Sequence, residues 1–465
     1  MSIGKLYGKI FHDVEIEGAG SEGLSIARVE GRVIFVKFGV PGDVVDLKLV
    51  AKKKKVLFAE IDKIISPSLN RVDPFCSHFG TCGGCKWQQM DYPTQLFWKN
   101  RQVVDAFERL GKIECAEWLP IIGAPKSKMY RNKLEYAFSN KRWLMDKDDA
   151  SQEMNAAGFH ISGRYDKILD IKTCHLQDDF GNIIRLFIKN YGLQNGLSFY
   201  DIKEHTGFLR NVIIRNTLLG QWMVIIIVGE NDETAIEGLM QALSDAFPQI
   251  NSLIFGVNTK VNDTIYDVDL VTFLGKDYIE ESLEDITYRI RPKSFFQTNS
   301  EQALNLYKIT REFAGLTGKE LVYDLYCGTG SISLFIARNA AIVFGIESVP
   351  QAIEDARENA RNNGITNVEF TVGDMRYELT DSFIEKTGIP DVVITDPPRV
   401  GMHPDVVNQL LKINAARIVY VSCNPATQAR DLAMLSSNYK VLKTCPVDMF
   451  PHTHHVENVT LLERI

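Results

Sequence analysis

The 465-residue sequence contains no apolar run approaching membrane-spanning length, no internal repeat and no low-complexity tract. The first absence excludes a helical membrane span. A secretory signal is also missing, since Met1 to Ile10 carries Lys5 and Lys9 around only a short apolar patch, so a cytoplasmic protein is expected. In that compartment the eight cysteines are not a disulfide framework, and metal ligation or catalysis is the better expectation. There is no excess of positive charge either: the net charge is −7, so attraction to nucleic acid must come from local segments. What remains is a composition typical of globular proteins, 45% hydrophobic and 24% charged, on a chain long enough for about two to four domains.

The stretch Val419-Tyr420-Val421-Ser422-Cys423-Asn424-Pro425 reads as a buried strand that ends in a cysteine just before a helix. Pro425 suits a first helical turn, and Ala426 to Leu435 continues at helical spacing. Cys423 is therefore expected at a strand's carboxyl end, facing a helix amino terminus whose free N–H groups make the thiolate easier to reach. A lone cysteine is more often a buried structural residue. The surroundings of this one give it a chemical role.

Residues 1–64 read as a small all-β module, because short alternating runs are punctuated by Gly18, Gly20, Gly23 and Pro41-Gly42-Asp43. That spacing predicts a five-stranded barrel. The run Lys52 to Lys55 is either a solvated hairpin tip or a phosphate contact. Ile16-Glu17-Gly18, Glu22-Gly23-Leu24-Ser25-Ile26-Ala27-Arg28 and Val40-Pro41-Gly42-Asp43 resemble the TRAM domain, an oligonucleotide-binding (OB)-like barrel attached to RNA-modifying enzymes.

Cys76, Cys82 and Cys85 follow as C-x5-C-x2-C, with glycines that let the backbone fold around a small object. Cys174 is a candidate fourth ligand brought in by folding. Spacing alone leaves tetrahedral zinc and a four-iron cluster both open. A helix is predicted over 93–110. From Asn100 to Arg142, basic residues (Arg101, Arg109, Lys126, Lys128, Arg131, Lys133, Lys141, Arg142) interleave with Tyr130, Tyr136, Phe138 and Trp143. Such a mixture suits single-stranded RNA, where bases stack and phosphates need cations, although a solvated α+β surface looks similar.

The carboxyl-terminal part alternates strand and helix, the pattern of a doubly wound parallel sheet. Asp324, Glu347, Asp374, Asp396 and Cys423 fall at or near successive strand ends, where such sheets bind ligands. Gly328-Thr329-Gly330 suits a nucleotide-type cofactor, but Ser333 stands where the dinucleotide fingerprint needs a third glycine. NAD is thereby disfavoured against S-adenosylmethionine (SAM).

With Ser294-Phe295-Phe296-Gln297-Thr298-Asn299, Asp324-Leu325-Tyr326-Cys327-Gly328-Thr329-Gly330, Asp396-Pro397-Pro398-Arg399, Ser422-Cys423-Asn424-Pro425 and His455-Val456-Glu457-Asn458, essentially the whole chain resembles the RNA (uracil-5)-methyltransferase family. The resemblance implies a multidomain α/β protein. Its parts are a TRAM barrel (1–64), a central α+β iron-sulfur and RNA-binding domain (65–290, with helix 93–110 packing on the catalytic domain) and a class I, Rossmann-like SAM methyltransferase domain (291–465). It further implies Cys423 as nucleophile, Glu457 as base, and Gln297, Tyr326, Glu347 and Asp396 as SAM contacts, with Asp374 at the adenine amino group. A four-iron four-sulfur cluster on Cys76, Cys82, Cys85 and Cys174 is implied as well. TRAM barrel and cluster together resemble the 23S ribosomal RNA branch. The expected partner is thus RNA, with no DNA or membrane partner, and the expected state is a monomer. His452, His454 and His455 stay unassigned, since adjacent residues of a strand point to opposite faces.

Overall fold

The computed structural model describes residues 8–54, 56–145 and 153–465, so Lys5 and Lys55 lie outside the described residues. Five strands, Ile10–Ala19, Ser25–Val29, Arg32–Val36, Val44–Lys53 and Val56–Ser66, close into the expected barrel. Alternation builds it: Val14, Ile16, Ile34, Val36, Val45 and Leu47 face inward and are buried, and closure removes the free edges that a small open sheet would expose. Lys52, Lys53 and Lys54 stand exposed where the last two strands turn. Behind the Pro41-Gly42-Asp43 turn, the buried Asp43 carboxylate accepts the N–H groups of Val40 (2.6 Å) and Ser68 (2.9 Å) and pairs with Arg71. The barrel is thereby tied to the chain that leaves it.

The cysteine loop leads into helix Tyr92–Asp105, which Asp91 caps by accepting the Thr94 N–H at 2.9 Å and which continues as the wider turn Ala106–Gly111. Its apolar face, Val103, Ala106 and Phe107, packs with Tyr323, Leu325 and Leu432 of the carboxyl-terminal layer. The next strand, Cys115–Trp118, joins that layer too, pairing in parallel with Tyr439–Val447 as an edge strand. The chain between 65 and 290 therefore serves three sheets: an edge of this one, the central sheet, and the hairpin Ile279–Leu283 with Ile286–Ile290.

The central sheet runs in the order Leu270–Gly275, Ile250–Val257, Trp222–Val228, Leu209–Asn216, Lys133–Ser139, Ala156–His160, Ile168–Asp170. Helices Asp179–Gln194 and Glu233–Ala246 cover one face of it. The structure corrects the aromatic part of the RNA-binding expectation here. Tyr136 and Phe138 alternate onto the helix-covered face, Tyr130 is buried as well, and none of the three can stack a base. Two of the cations are also occupied, since Arg101 and Arg109 both pair with Asp105.

Eight strands form the carboxyl-terminal sheet, in the order Val368–Val372, Ile342–Glu347, Leu321–Leu325, Val392–Thr395, Arg417–Ser422, Glu457–Arg464, Tyr439–Val447, Cys115–Trp118. The first five are parallel, and chain order reverses between Leu321–Leu325 and Val392–Thr395, which opens the crevice at their carboxyl ends. The sheet is not wholly parallel as expected. Glu457–Arg464 returns antiparallel between Arg417–Ser422 and Tyr439–Val447, and this inversion brings a residue from near the chain end to the mouth of the crevice. Among the described residues no helix is long and apolar enough to cross a membrane.

Candidate active site

The crevice is built on turns that follow strands. After Leu321–Leu325 the backbone adopts positive φ at Tyr326 (64°), Gly328 (55°) and Gly330 (74°), a conformation that glycine takes without strain. A side chain on Gly328 would begin in open space, so a ligand edge can reach the backbone there. The Gly328 N–H donates to Glu347 (3.2 Å), whose other oxygen accepts from Ser348 (3.0 Å) and from the Val349 N–H (2.9 Å). Asp374 caps the turn Met375–Glu378 and binds Arg376 through both oxygens, so its carboxylate is already engaged in protein contacts. Gln297 is buried beside Asn132, whose amide donates to the Gln297 carbonyl at 2.9 Å. Asp324 is set deeper than the crevice. Burial lifts its pKa to about 7 while Ser333 donates to it.

Cys423 follows Ser422 at the end of its strand, and Asn424 caps helix Pro425–Leu435 by accepting the Ala426 N–H at 3.1 Å. Local structure is as expected, but the thiol is not eased toward its charged form. Burial, with the carboxylates of Glu457 and Asp396 nearby, pushes the Cys423 pKa up to about 12, while Arg399 and a backbone hydrogen bond pull the other way. The cap residue has taken up helix N–H capacity that the cysteine was expected to enjoy.

Both carboxyls, Glu457 and Asp396, are held above the ordinary carboxylate range. Burial carries Glu457 to about 8, with Asp396 raising it and Arg399 lowering it. Burial and then Asp324 carry Asp396 to about 7. Among the described residues the Glu457 carboxylate accepts no hydrogen bond, so Arg399 alone offsets its desolvation. The site thus holds a thiol and two carboxyls that cannot all ionise together at neutral pH.

Arg399 was legible only as the last residue of Asp-Pro-Pro-Arg, with no role attached. Its carbonyl accepts from the Asn424 amide (3.0 Å) and the Thr427 hydroxyl (3.2 Å), both just past Cys423. Asp431 fixes the same loop by accepting the Met402 N–H (2.8 Å) and the Tyr420 hydroxyl (2.7 Å). The preceding segment of the last strand is clamped from outside. Lys99 and Asp448, both fully buried and 349 residues apart in sequence, pair at 2.5 Å, and the Tyr92 hydroxyl donates to the same carboxylate at 2.8 Å. Nothing in the sequence marks that pair.

The histidine expectation is corrected. His452, His454 and His455 lie in a loop, the strand beginning only at Glu457, and the rings of His454 and His455 sit 4.1 Å apart instead of on opposite faces.

Cys76, Cys82, Cys85 and Cys174 come together as free thiols, each in electrostatic reach of others. Burial first, then the neighbouring thiols, pushes Cys85 up to about 12, and burial with the opposing thiols takes Cys174 to about 11. Asn182 holds Cys174 in place through the N–H (2.8 Å) and the carbonyl (3.0 Å). Among the described residues no three His, Cys, Asp or Glu side chains are placed to hold one metal ion, which gives a metal centre no direct support.

The family described as tRNA (Uracil-5-)-methyltransferase matches residues 268–465, and the TRAM domain matches residues 12–61. An uncharacterized RNA methyltransferase from Bacteroides thetaiotaomicron is 54% identical over 95% of this chain and 99% of its own. One from Porphyromonas gingivalis is 51% identical over 97% and 99%. The crystal structure of Pyrococcus abyssi tRNA (uracil-54, C5)-methyltransferase in complex with S-adenosyl-L-homocysteine superposes with a TM-score of 0.74 at 30% identity, covering 96% of this chain and 99% of that one. With a five-stranded barrel ahead of a methyltransferase sheet and relatives matched over nearly their full length, the chain belongs to the tRNA (uracil-5-)-methyltransferase family.

Proposed function

We propose that this RNA methyltransferase methylates carbon 5 of a uridine in 23S ribosomal RNA, with Cys423 as nucleophile and Glu457 as base. The observation that carries the chemistry is the meeting of Cys423, Glu457, Asp396 and Arg399 at adjoining strand ends. Carbon 5 of uracil is a poor nucleophile, and a thiolate added at carbon 6 converts the ring into an enolate that can attack through carbon 5. SAM, when bound, supplies the methyl group on a positively charged sulfur. Gln297, Tyr326, Glu347, Asp374 and Asp396 are the residues we assign to hold it, and the open backbone at Gly328 fits such a ligand.

The chain's own groups account for the protons. Cys423 must give up its proton to attack, and the Asp396 carboxylate is the neighbouring acceptor that leaves Glu457 free. Arg399 favours the charged forms of both Cys423 and Glu457. Glu457 must then be ionised to remove the hydrogen from carbon 5, after which the Cys423–carbon 6 bond breaks and the thiolate leaves. Since the target base has to leave its stack to reach Cys423, an extruded uridine is implied.

The four thiols, each in electrostatic reach of others, have the donor chemistry that a four-iron four-sulfur cluster would take. Cys76, Cys82, Cys85 and Cys174 would hold it, and its part would be structural. The ribosomal target rests on the joint presence of the barrel and the four cysteines. A transfer-RNA target is the second reading, favoured by the archaeal tRNA enzyme that aligns over 96% of this chain. We further propose a cytoplasmic monomer. Mass mapping of 5-methyluridine in ribosomal and transfer RNA, with and without the gene, decides between the targets, and an unchanged content in both would overturn the activity.

A further inference from the structure

Between Met449 and Asn458 the loop and strand start are mostly buried, while Phe450, His454 and His455 are only partly so. Their rings lie 4.1 Å apart with planes tilted by 38°, and Phe450 meets His455 edge-on at 6.4 Å. The pair is held from below: the Gln102 amide donates to the His454 carbonyl (3.3 Å) and the Thr453 hydroxyl accepts the His455 N–H (3.3 Å). His454 Nδ1 is buried without a hydrogen-bond partner. A side chain added at Gly23 of the barrel would come within 3.5 Å of that nitrogen. His455 lies two residues before Glu457, and Arg399, which bears on Cys423 and Glu457, bears on both histidines. The pair thus borders the catalytic centre on one side and the barrel on the other.

The charges that act on one or both rings are Lys86, Lys99, Arg131 and Arg399, of which Lys99 is paired with Asp448. Arg131 lies over the Phe450 ring at 5.0 Å. Burial and these cations hold both imidazoles neutral, near 4 for His454 and 3 for His455. A neutral imidazole keeps a polarisable face and one free acceptor nitrogen. Three of the four aromatics that sequence put forward for stacking, Tyr130, Tyr136 and Phe138, are buried, so most of the job they were expected to do is open.

We infer that His454 and His455 form a stacking platform for a nucleobase flanking the extruded uridine, with Lys86, Arg131 and Arg399 facing the adjoining phosphates. Bases splayed out of a strand stack on aromatic side chains, histidine included, while cations track the backbone. The ligand class is single-stranded RNA next to the modified nucleotide. These histidines act as positioning and specificity residues, not as acid or base. This rests on the proposed uridine methylation.

The test compares His454→Leu and His455→Leu with His454→Phe and His455→Phe, using a methyl-accepting RNA transcript. Loss of a base–aromatic stack is expected to raise KM for RNA about tenfold in the leucine variants, with the SAM dissociation constant unchanged. The phenylalanine variants should recover most of it. A second measurement does not depend on variants folding: 4-thiouridine placed beside the target uridine should photocrosslink in the wild type to the peptide holding residues 448–457. An unchanged KM in the leucine variants, an equal loss with leucine and phenylalanine, or crosslinks only elsewhere would overturn the platform. A wild type that methylates no RNA would instead sink the functional reading beneath it.

Discussion

Cys423 and Glu457 stand one step beyond Ser422 and Asn458, the last residues paired between their two strands. In an antiparallel ladder such partners share a face. The proposed nucleophile and the proposed base therefore come from neighbouring strands of opposite direction, and their losses should be distinguishable.

Cys423→Ala should abolish methylation and leave no covalent RNA adduct. Glu457→Gln should still add and transfer methyl but stall before elimination, accumulating a denaturation-resistant protein–RNA adduct whose base carries the methyl group. Gel shift under denaturing conditions and mass analysis of the digested adduct check this. Turnover by Cys423→Ala would end the covalent mechanism, whereas turnover by Glu457→Gln without adduct would move the base to another group.

The carboxyl at Glu457 gives a stability signature. Its folded value, about 8, lies above its ordinary 4.5, so the folded chain holds a proton that the unfolded chain has lost between those values. The contribution is fully present below about pH 4.5 and disappears as pH rises through about 8. The melting temperature of the wild type should therefore fall relative to Glu457→Gln across that window. Parallel curves would mean that the carboxyl ionises in the folded protein as it does in water.

Removing one partner of the Lys99–Asp448 pair should cost about 3–5 kcal/mol, because the other charge stays buried without compensation. Lys99→Met with Asp448→Asn should recover part of the loss. Denaturant unfolding of the two single variants and the double one measures the coupling.

Anaerobically purified protein should be brown, with about four irons and four sulfides per chain, and Cys174→Ala should bleach it. Stoichiometric zinc in place of iron would remove the cluster assignment.

RNA affinity should fall steeply with salt, and neutralising the exposed Lys52, Lys53 and Lys54 should flatten that dependence by about one unit of slope for each phosphate that the lysines had neutralised. Binding isotherms at several salt concentrations show it. An unchanged slope would make the run a solvated hairpin tip.

The barrel, the strand before Cys423 and the helix over 93–110 were legible because each repeats a local period, two or 3.6 residues, over a stretch long enough to read. The strand Glu457–Arg464 was not. Its direction is set by pairing with Arg417–Ser422 and Tyr439–Val447, which no local pattern records. The same holds for Tyr136 and Phe138: their alternation with polar residues signals a strand, but which face meets the helices is decided by segments far along the chain. The ionisation of Cys423 was misjudged for a related reason. The helix start is local, whereas the opposing carboxylates of Asp396 and Glu457 arrive by folding.

The strand Cys115–Trp118 has a consequence for how the chain is made. It is synthesised long before its partner Tyr439–Val447, so on the ribosome it waits unpaired while the whole central sheet emerges. The catalytic sheet then closes last, by recruiting an edge that was translated first, which is a long loop closure and a slow step. A fragment beginning at residue 291 would lack that edge and expose the Tyr439–Val447 strand to other chains. Cutting this protein at its apparent domain boundary should yield aggregates, while the intact chain folds with its own early segment as the cover.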